Sequence, residues 1–193
     1  MNLLCWNCRG IGDPATVHEL RDLVEASAPS VLCIVETQLA KNRVEGLAAS
    51  LGFGSSFAAA STGRSGGLCI FWKSTIELSI KNFSQYHVAS WVSEPGFEQW
   101  LLTCFYGEAN RSLRYKTWDT VRRLRGESTL PWVCIGDFNE ILRQDEQMGP
   151  NTHDSSQIAG FREAVDVCNL SDLGYKGLDW TFEKWVTGGQ YCR

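Results

Sequence analysis

Short apolar runs alternate with amphipathic stretches along this chain, the pattern of an α/β protein. Residues 3–7 predict a first strand, with polar Asn7 at its end. Asp13-Pro14 offers a helix cap and a proline at the first helical position, and Val17, Leu20, Leu23 and Val24 carry an apolar face until Ala28-Pro29 stops it. Val31-Leu32-Cys33-Ile34-Val35 contains no polar position and predicts a fully buried strand. A short helix is expected over residues 43–51, ended by Gly52. The small residues of 55–62 and Gly63-Arg64-Ser65-Gly66-Gly67 predict a loop before a strand at 68–72. Strands at 76–83, 87–92 and 99–106, the last two separated by Glu94-Pro95-Gly96, predict an antiparallel run. A basic helix within 111–125, a strand at 132–135, a loop through Gly149-Pro150 and a helix at 155–168 complete the pattern. Consecutive strands with helices at both ends predict layered sheets covered by helices, in one domain spanning residues 1–193.

Composition narrows the classes. The 193 residues carry 18 basic and 22 acidic side chains, a net charge of −4, and 44% are hydrophobic, which supports a sizeable core and excludes a disordered or collagen-like chain. No apolar run approaches the roughly 18 residues needed to cross a bilayer. The amino terminus has neither a basic segment nor a small-residue cleavage site, so a nuclear or cytosolic protein with no membrane attachment is expected. Cys33, Cys69, Cys104, Cys134 and Cys168 lie inside apolar runs and read as reduced core thiols. Cys5 and Cys8 form a CxxC without a second pair at zinc spacing, so packing is again the better reading. The glycines at 63, 66 and 67 precede a strand and are followed by no Gly-Lys-Ser/Thr, which argues against a phosphate loop. Between residues 111 and 125 six basic side chains face a single acid, Asp119. In a continuous helix Arg111, Arg114, Arg122 and Arg125 project from one side, as a solvated face or as a patch for DNA-backbone phosphates.

The chemistry concentrates where polar residues end buried strands, because a charge placed there must be paired, solvated in a cleft or bound to a cation. Asn7, Glu36, Tyr106 and the Gly136-Asp137-Phe138-Asn139 run all occupy such positions. Two carboxylates and two asparagines at the ends of separate strands, able to converge on one rim, suit a hard cation such as Mg²⁺, which leaves room for water and a substrate phosphate. That combination points to phosphoryl transfer.

The motifs at these strand ends carry a resemblance. Leu4-Cys5-Trp6-Asn7-Cys8-Arg9-Gly10, Val35-Glu36-Thr37 and Ile135-Gly136-Asp137-Phe138-Asn139 resemble motifs of the endonuclease/exonuclease/phosphatase superfamily. Cys134 to Leu142, Tyr106-Gly107, Arg114-x-x-x-Trp118 and Leu170-x-Asp172-Leu173-Gly174-Tyr175-x-Gly177 are similar to the endonuclease domain of plant LINE-type non-LTR retrotransposons. The resemblance implies a two-layer β-sandwich flanked by helices, the DNase I-like fold. It implies a monomer that nicks DNA with Mg²⁺, or Mn²⁺ in its place, so that a reverse transcriptase domain of the full-length element primes from the cut. Glu36 would hold the metal, Asn7 would support metal and phosphate, and Tyr106 would contact the phosphate. Asp137 would activate water with Asn139 nearby, and Arg9 and Thr181 would lie near the substrate phosphate. The family pattern runs on to a Ser-Asp-His motif, and His18, His87 and His153 stand in no such motif. The expectation is therefore a domain lacking its final strands, with impaired nicking. Its alternatives are a non-catalytic remnant that binds DNA or a partner, and a phosphomonoesterase of the same superfamily.

Overall fold

The computed structural model describes residues 1–59, 66–148, 153–174, 184–186 and 190–192, the last two segments by their backbone. Two compact units emerge: Met1–Gly107 with Leu130–Asp137, and Glu108–Thr129 with Phe138–Arg193.

The first unit contains β1 (Leu3–Asn7), α1 (Pro14–Ser27), β2 (Val31–Val35), α2 (Lys41–Glu45), β3 (Ser55–Ala59), β4 (Leu68–Trp72), β5 (Glu77–Phe83), β6 (His87–Ser93), β7 (Trp100–Tyr106) and β8 (Trp132–Asp137). One sheet has the order β1-β2-β4-β3 and the other β5-β6-β7-β8. Each sheet holds one parallel pair. β1 runs beside β2 with Asn7 opposite Val35, and β7 runs beside β8 with Tyr106 opposite Asp137. The remaining pairings are antiparallel.

The residues of β2 explain its unbroken apolar run. Val31, Cys33 and Val35 share a core with Val88, Val92, Leu102 and Cys104 of the second sheet. Leu32 and Ile34 turn the other way and meet Leu20 of α1 and Val44 of α2. A strand covered on both faces has no place for a polar side chain, and each such Val, Leu or Ile contributes about 1.5–3 kcal/mol on burial. The first unit is thus the expected two-layer sandwich, with α1 and α2 on the outer face of the first sheet.

Two stretches depart from expectation. Residues 55–59 form β3, paired antiparallel with β4, where the sequence suggests a loop. Their small side chains read as loop by composition, yet Ala58 and Ala59 are only 4% exposed and gain their strand geometry from the partner. Residues 60–65 of the same stretch lie outside the described residues. The helix expected at 43–51 divides into α2 and a 3₁₀ turn at Ala49–Leu51, with Gly52 in the left-handed region ending it.

The start of α1 follows its sequence signal. Asp13 accepts a hydrogen bond from the Ala15 amide at 2.9 Å, and Pro14 opens the helix. Asp13→Ala is expected to lower stability by about 1 kcal/mol. Calorimetry should show Tm falling by about 2–4 °C, and an unchanged Tm would deny the cap that role.

Cys5, Cys8, Cys33, Cys69, Cys104, Cys134 and Cys168 are free thiols. Burial pushes Cys33, Cys69 and Cys104 above the ordinary thiol range and raises Cys8 to about 11. The Cys8 thiol donates to the Val35 carbonyl at 3.3 Å, so this half of the CxxC works as a packed, hydrogen-bonded side chain.

The second unit holds α3 (Tyr115–Gly126), α4 (Ser155–Val167), β9 (Lys184–Val186) and β10 (Gln190–Cys192), with β9 and β10 antiparallel. α3 lies close against α4 at Gly160, where a Cβ would stand 2.5 Å from Cζ3 of the Trp118 ring. Phe138 and Phe161 bring their ring centroids to 5.4 Å.

Candidate functional site

A parallel pair needs a long crossover, and its two strands then end at the same edge. In this chain α1 makes one crossover and residues 107–131 make the other. The carboxyl ends of the two parallel pairs, one from each sheet, come together within the first unit. There the Asn7 amide nitrogen donates to Glu36 Oε1 at 3.1 Å and to Asp137 Oδ2 at 2.8 Å. The Tyr106 hydroxyl donates to the same Glu36 Oε1 at 2.7 Å. Asn7 Oδ1 in turn accepts from the Arg9 amide at 3.1 Å. One asparagine therefore joins two carboxylates from two sheets, and its carbonyl oxygen fixes which way the amide faces.

The backbone around these groups is held in an uncommon form. Arg9, Glu36 and Gln38 have φ of 46°, 56° and 48° in the left-handed region, which L residues adopt at a cost of roughly 1–3 kcal/mol each when the surroundings impose it. The Gly10 amide donates to the Glu36 carbonyl at 2.8 Å and the Ile11 amide to the Thr37 carbonyl at 3.0 Å. The Thr37 amide donates to the Gly67 carbonyl at 3.2 Å, and Thr37 is itself buried. Two loops thus pin the turn that aims Glu36. On the other sheet the Gly107 amide donates to the Asp137 carbonyl at 2.7 Å, which extends the β7–β8 pairing through the last residue of the strand.

The donor set tests whether a metal would fit. Both donors on Glu36 reach Oε1, so neither of these bonds uses its second oxygen. Among the described residues no group of three or more His, Cys, Asp and Glu side chains is placed to enclose a cation. One or two carboxylates with an amide oxygen and open positions are what Mg²⁺ takes when water and phosphate complete its shell. The residues present fit that ion and do not suit zinc, whose structural sites need four nitrogen or sulfur ligands.

Asn139 lies two residues beyond Asp137, in the second unit, with φ of 53°. Arg9 is exposed, and its amide is the group bonded to Asn7. Thr181 lies outside the described residues. The four arginines do not share one helical face. Arg111 belongs to a 3₁₀ turn, α3 starts only at Tyr115, and Arg114 is buried and bonded to Glu140 at 3.1 Å. Arg122 is taken up by Asp119 at 3.0 Å and Glu163 at 3.1 Å. Periodicity could reveal only the Asp119 pair, three residues from Arg122, because Glu140 and Glu163 come from distant segments. Nor did the sequence reveal the left-handed turn at Glu36 or the buried Thr37, for which the adjacent motif was the only signal.

His18 is exposed and lies 3.9 Å from Asp22. His87 is buried between the Ser84 hydroxyl at 2.8 Å and Asn82 Oδ1 at 2.9 Å. His153 pairs with Glu140.

The Endonuclease/Exonuclease/phosphatase family model matches residues 4–191. Among solved structures, the endonuclease domain of TRAS1, a telomere-specific non-LTR retrotransposon, is similar at 13% identity and a TM-score of 0.70, over 98% of this chain and 83% of that one. An AP endonuclease from Archaeoglobus fulgidus is similar at 17% identity and a TM-score of 0.63, over 86% of this chain and 71% of that one. The 3'-5' exonuclease NExo from Neisseria meningitidis is similar at 16% identity and a TM-score of 0.63, with the same two coverages. At these identities the likeness is one of fold. No curated protein matches the chain.

Proposed function

Because this chain belongs to the endonuclease/exonuclease/phosphatase family, we propose that it is a Mg²⁺-dependent DNA-nicking endonuclease of retrotransposon origin. The observation that carries the reading is the single Asn7 amide bonded to both Glu36 and Asp137. Two carboxylates sharing one neutral donor, at the ends of strands from two sheets, call for a cation and leave a base beside it. Glu36 and Asn7 would hold Mg²⁺, which supplies charge neutralisation to the phosphate oxygens. Asp137 takes a proton from the attacking water, and Asn7 keeps its carboxylate oriented. The Tyr106 hydroxyl, whose one proton goes to Glu36 in this structure, would turn it to a phosphate oxygen when substrate binds, and Asn139 would add a hydrogen bond near the reacting water. Arg9 and Thr181 contribute at the phosphate, with Arg111 beside the DNA backbone. In this reading the chain acts as a monomer in the nucleus or cytosol and works with a reverse transcriptase domain of the full element. No helix among the described residues is long and apolar enough to cross a membrane.

Supercoiled plasmid tests this directly. Nicked circles whose ends a DNA polymerase extends, abolished by chelator and restored by Mg²⁺ or Mn²⁺, are the expected result. The ion-paired state of Arg114 and Arg122, which removes two cations from the expected DNA-backbone patch, favours one alternative, a phosphomonoesterase. Release of inorganic phosphate from a phosphomonoester with no nicking would establish it instead.

A further inference from the structure

We infer that Arg114, Glu140 and His153 are positioning residues that fix the loop carrying Asn139, an inference that rests on the endonuclease reading above. Arg114 and Glu140, from the motifs Arg114-x-x-x-Trp118 and Asn139-Glu140, have no part in the chemistry proposed for the site, yet they meet in the second unit. Arg114 Nη1 donates to Glu140 Oε2 at 3.1 Å and lies 3.1 Å from His153 Nε2. His153 Nε2 contacts Glu140 Oε1, and its Nδ1 lies 3.2 Å from Gln147 Oε1. The side chains are 10%, 0% and 7% exposed for Arg114, Glu140 and His153.

Burying such a group seldom adds net stability, because desolvation offsets the attraction. What it does add is geometry, since a buried carboxylate with two cationic or polar partners on different segments has few alternative placements. Glu140 follows Asn139, whose left-handed backbone needs support from its neighbours. The Glu140 carboxylate also folds back onto its own loop, accepting from the Ile141 amide at 3.1 Å. Two residues further on, the Arg162 side chain of α4 donates to the Leu142 carbonyl. On the preceding side Phe138 packs against Phe161 of α4. Asn139 is thus held from both flanks, by Arg114 at the start of α3, by His153 before α4 and by α4 itself. The Trp118 and Gly160 contact keeps those two helices at a fixed separation. A catalytic amide displaced by a fraction of an ångström loses much of its effect, so the network sets how well Asn139 works.

A double-mutant cycle separates positioning from bulk stability. Glu140→Gln keeps the shape and removes the charge. It is expected to lower kcat for plasmid nicking by about 10- to 100-fold, with KM little changed, as for other residues that orient a reacting group. In an Asn139→Ala background the same change should cost almost nothing, because the residue it positions is gone. Arg114→Lys, which preserves a cation, should retain most of the kcat that Arg114→Met loses. Equal losses in both backgrounds, or a change confined to KM, would overturn the inference. Hydrogen exchange at amides 139–142 reads the network without any activity. Faster exchange there in Glu140→Gln, with the sandwich still protected, supports the inference, and unchanged exchange overturns it. A parent chain that does not nick would instead count against the endonuclease reading.

Discussion

Asp137→Asn is expected to reduce DNA nicking by about 10²- to 10⁴-fold while leaving the sandwich folded. The carboxamide is nearly the size of the carboxylate, and its oxygen can still accept from the Asn7 amide that now bonds Asp137 at 2.8 Å. The β7–β8 register, which ends at Tyr106 opposite Asp137, is untouched. What disappears is the capacity to take a proton from water at neutral pH. The loss should therefore fall on kcat, with circular dichroism and Tm close to those of the parent. Parent-like nicking by Asp137→Asn would remove this residue from the chemistry.

Gly136→Ala should act through the fold. Gly136 has φ of 154°, and a Cβ built there would press into the Phe105 carbonyl oxygen and stand 2.8 Å from the Phe105 carbonyl carbon and amide nitrogen. Those are backbone atoms of the paired strand β7, with Phe105 directly opposite Gly136, so no side chain can swing away. Overpacking against backbone in an uncommon conformation costs about 3 kcal/mol or more. For a domain of this size that corresponds to a Tm lowered by about 6–12 °C. Calorimetry decides it, and a Tm within about 2 °C of the parent's, the shift expected from less than about 1 kcal/mol, would show that β8 tolerates a Cβ where the structure allows none. Because Asp137 is the next residue, the variant should also lose activity in proportion to the displacement of that strand end.

The parts of the fold legible in the sequence are those governed by local pattern. The two-faced burial of β2, the Asp13-Pro14 start of α1 and the Glu94-Pro95-Gly96 turn all follow from residues within a few positions of one another. β3 was not legible, since Ser55, Ser56, Ala58 and Ala59 owe their strand to pairing with β4 and not to their own preferences. The site was legible at the level of residue type and strand position, which is enough to single out Asn7, Glu36, Tyr106 and Asp137. It was not legible at the level of bonds. Which carboxylate oxygen accepts from which donor, and the left-handed turn that aims Glu36, depend on contacts between segments 29 to 70 residues apart along the chain. The ion pairs of Arg114 and Arg122 were not legible for a similar reason. They depend on Glu140 and Glu163, which lie 26 and 41 residues away along the chain.

The measurement that bears most directly on the site is plasmid nicking followed as a function of Mg²⁺ concentration, for the parent chain beside Glu36→Gln. The variant's carboxamide oxygen can still accept from Tyr106 and Asn7, so the hydrogen-bonded frame survives while a metal-holding charge is lost. We expect parent nicking to vanish in chelator and return with Mg²⁺, and the variant to need at least about tenfold more Mg²⁺ or to remain inactive. Superimposable curves for the two proteins, or nicking that persists in chelator, would contradict a metal-dependent site built on Glu36.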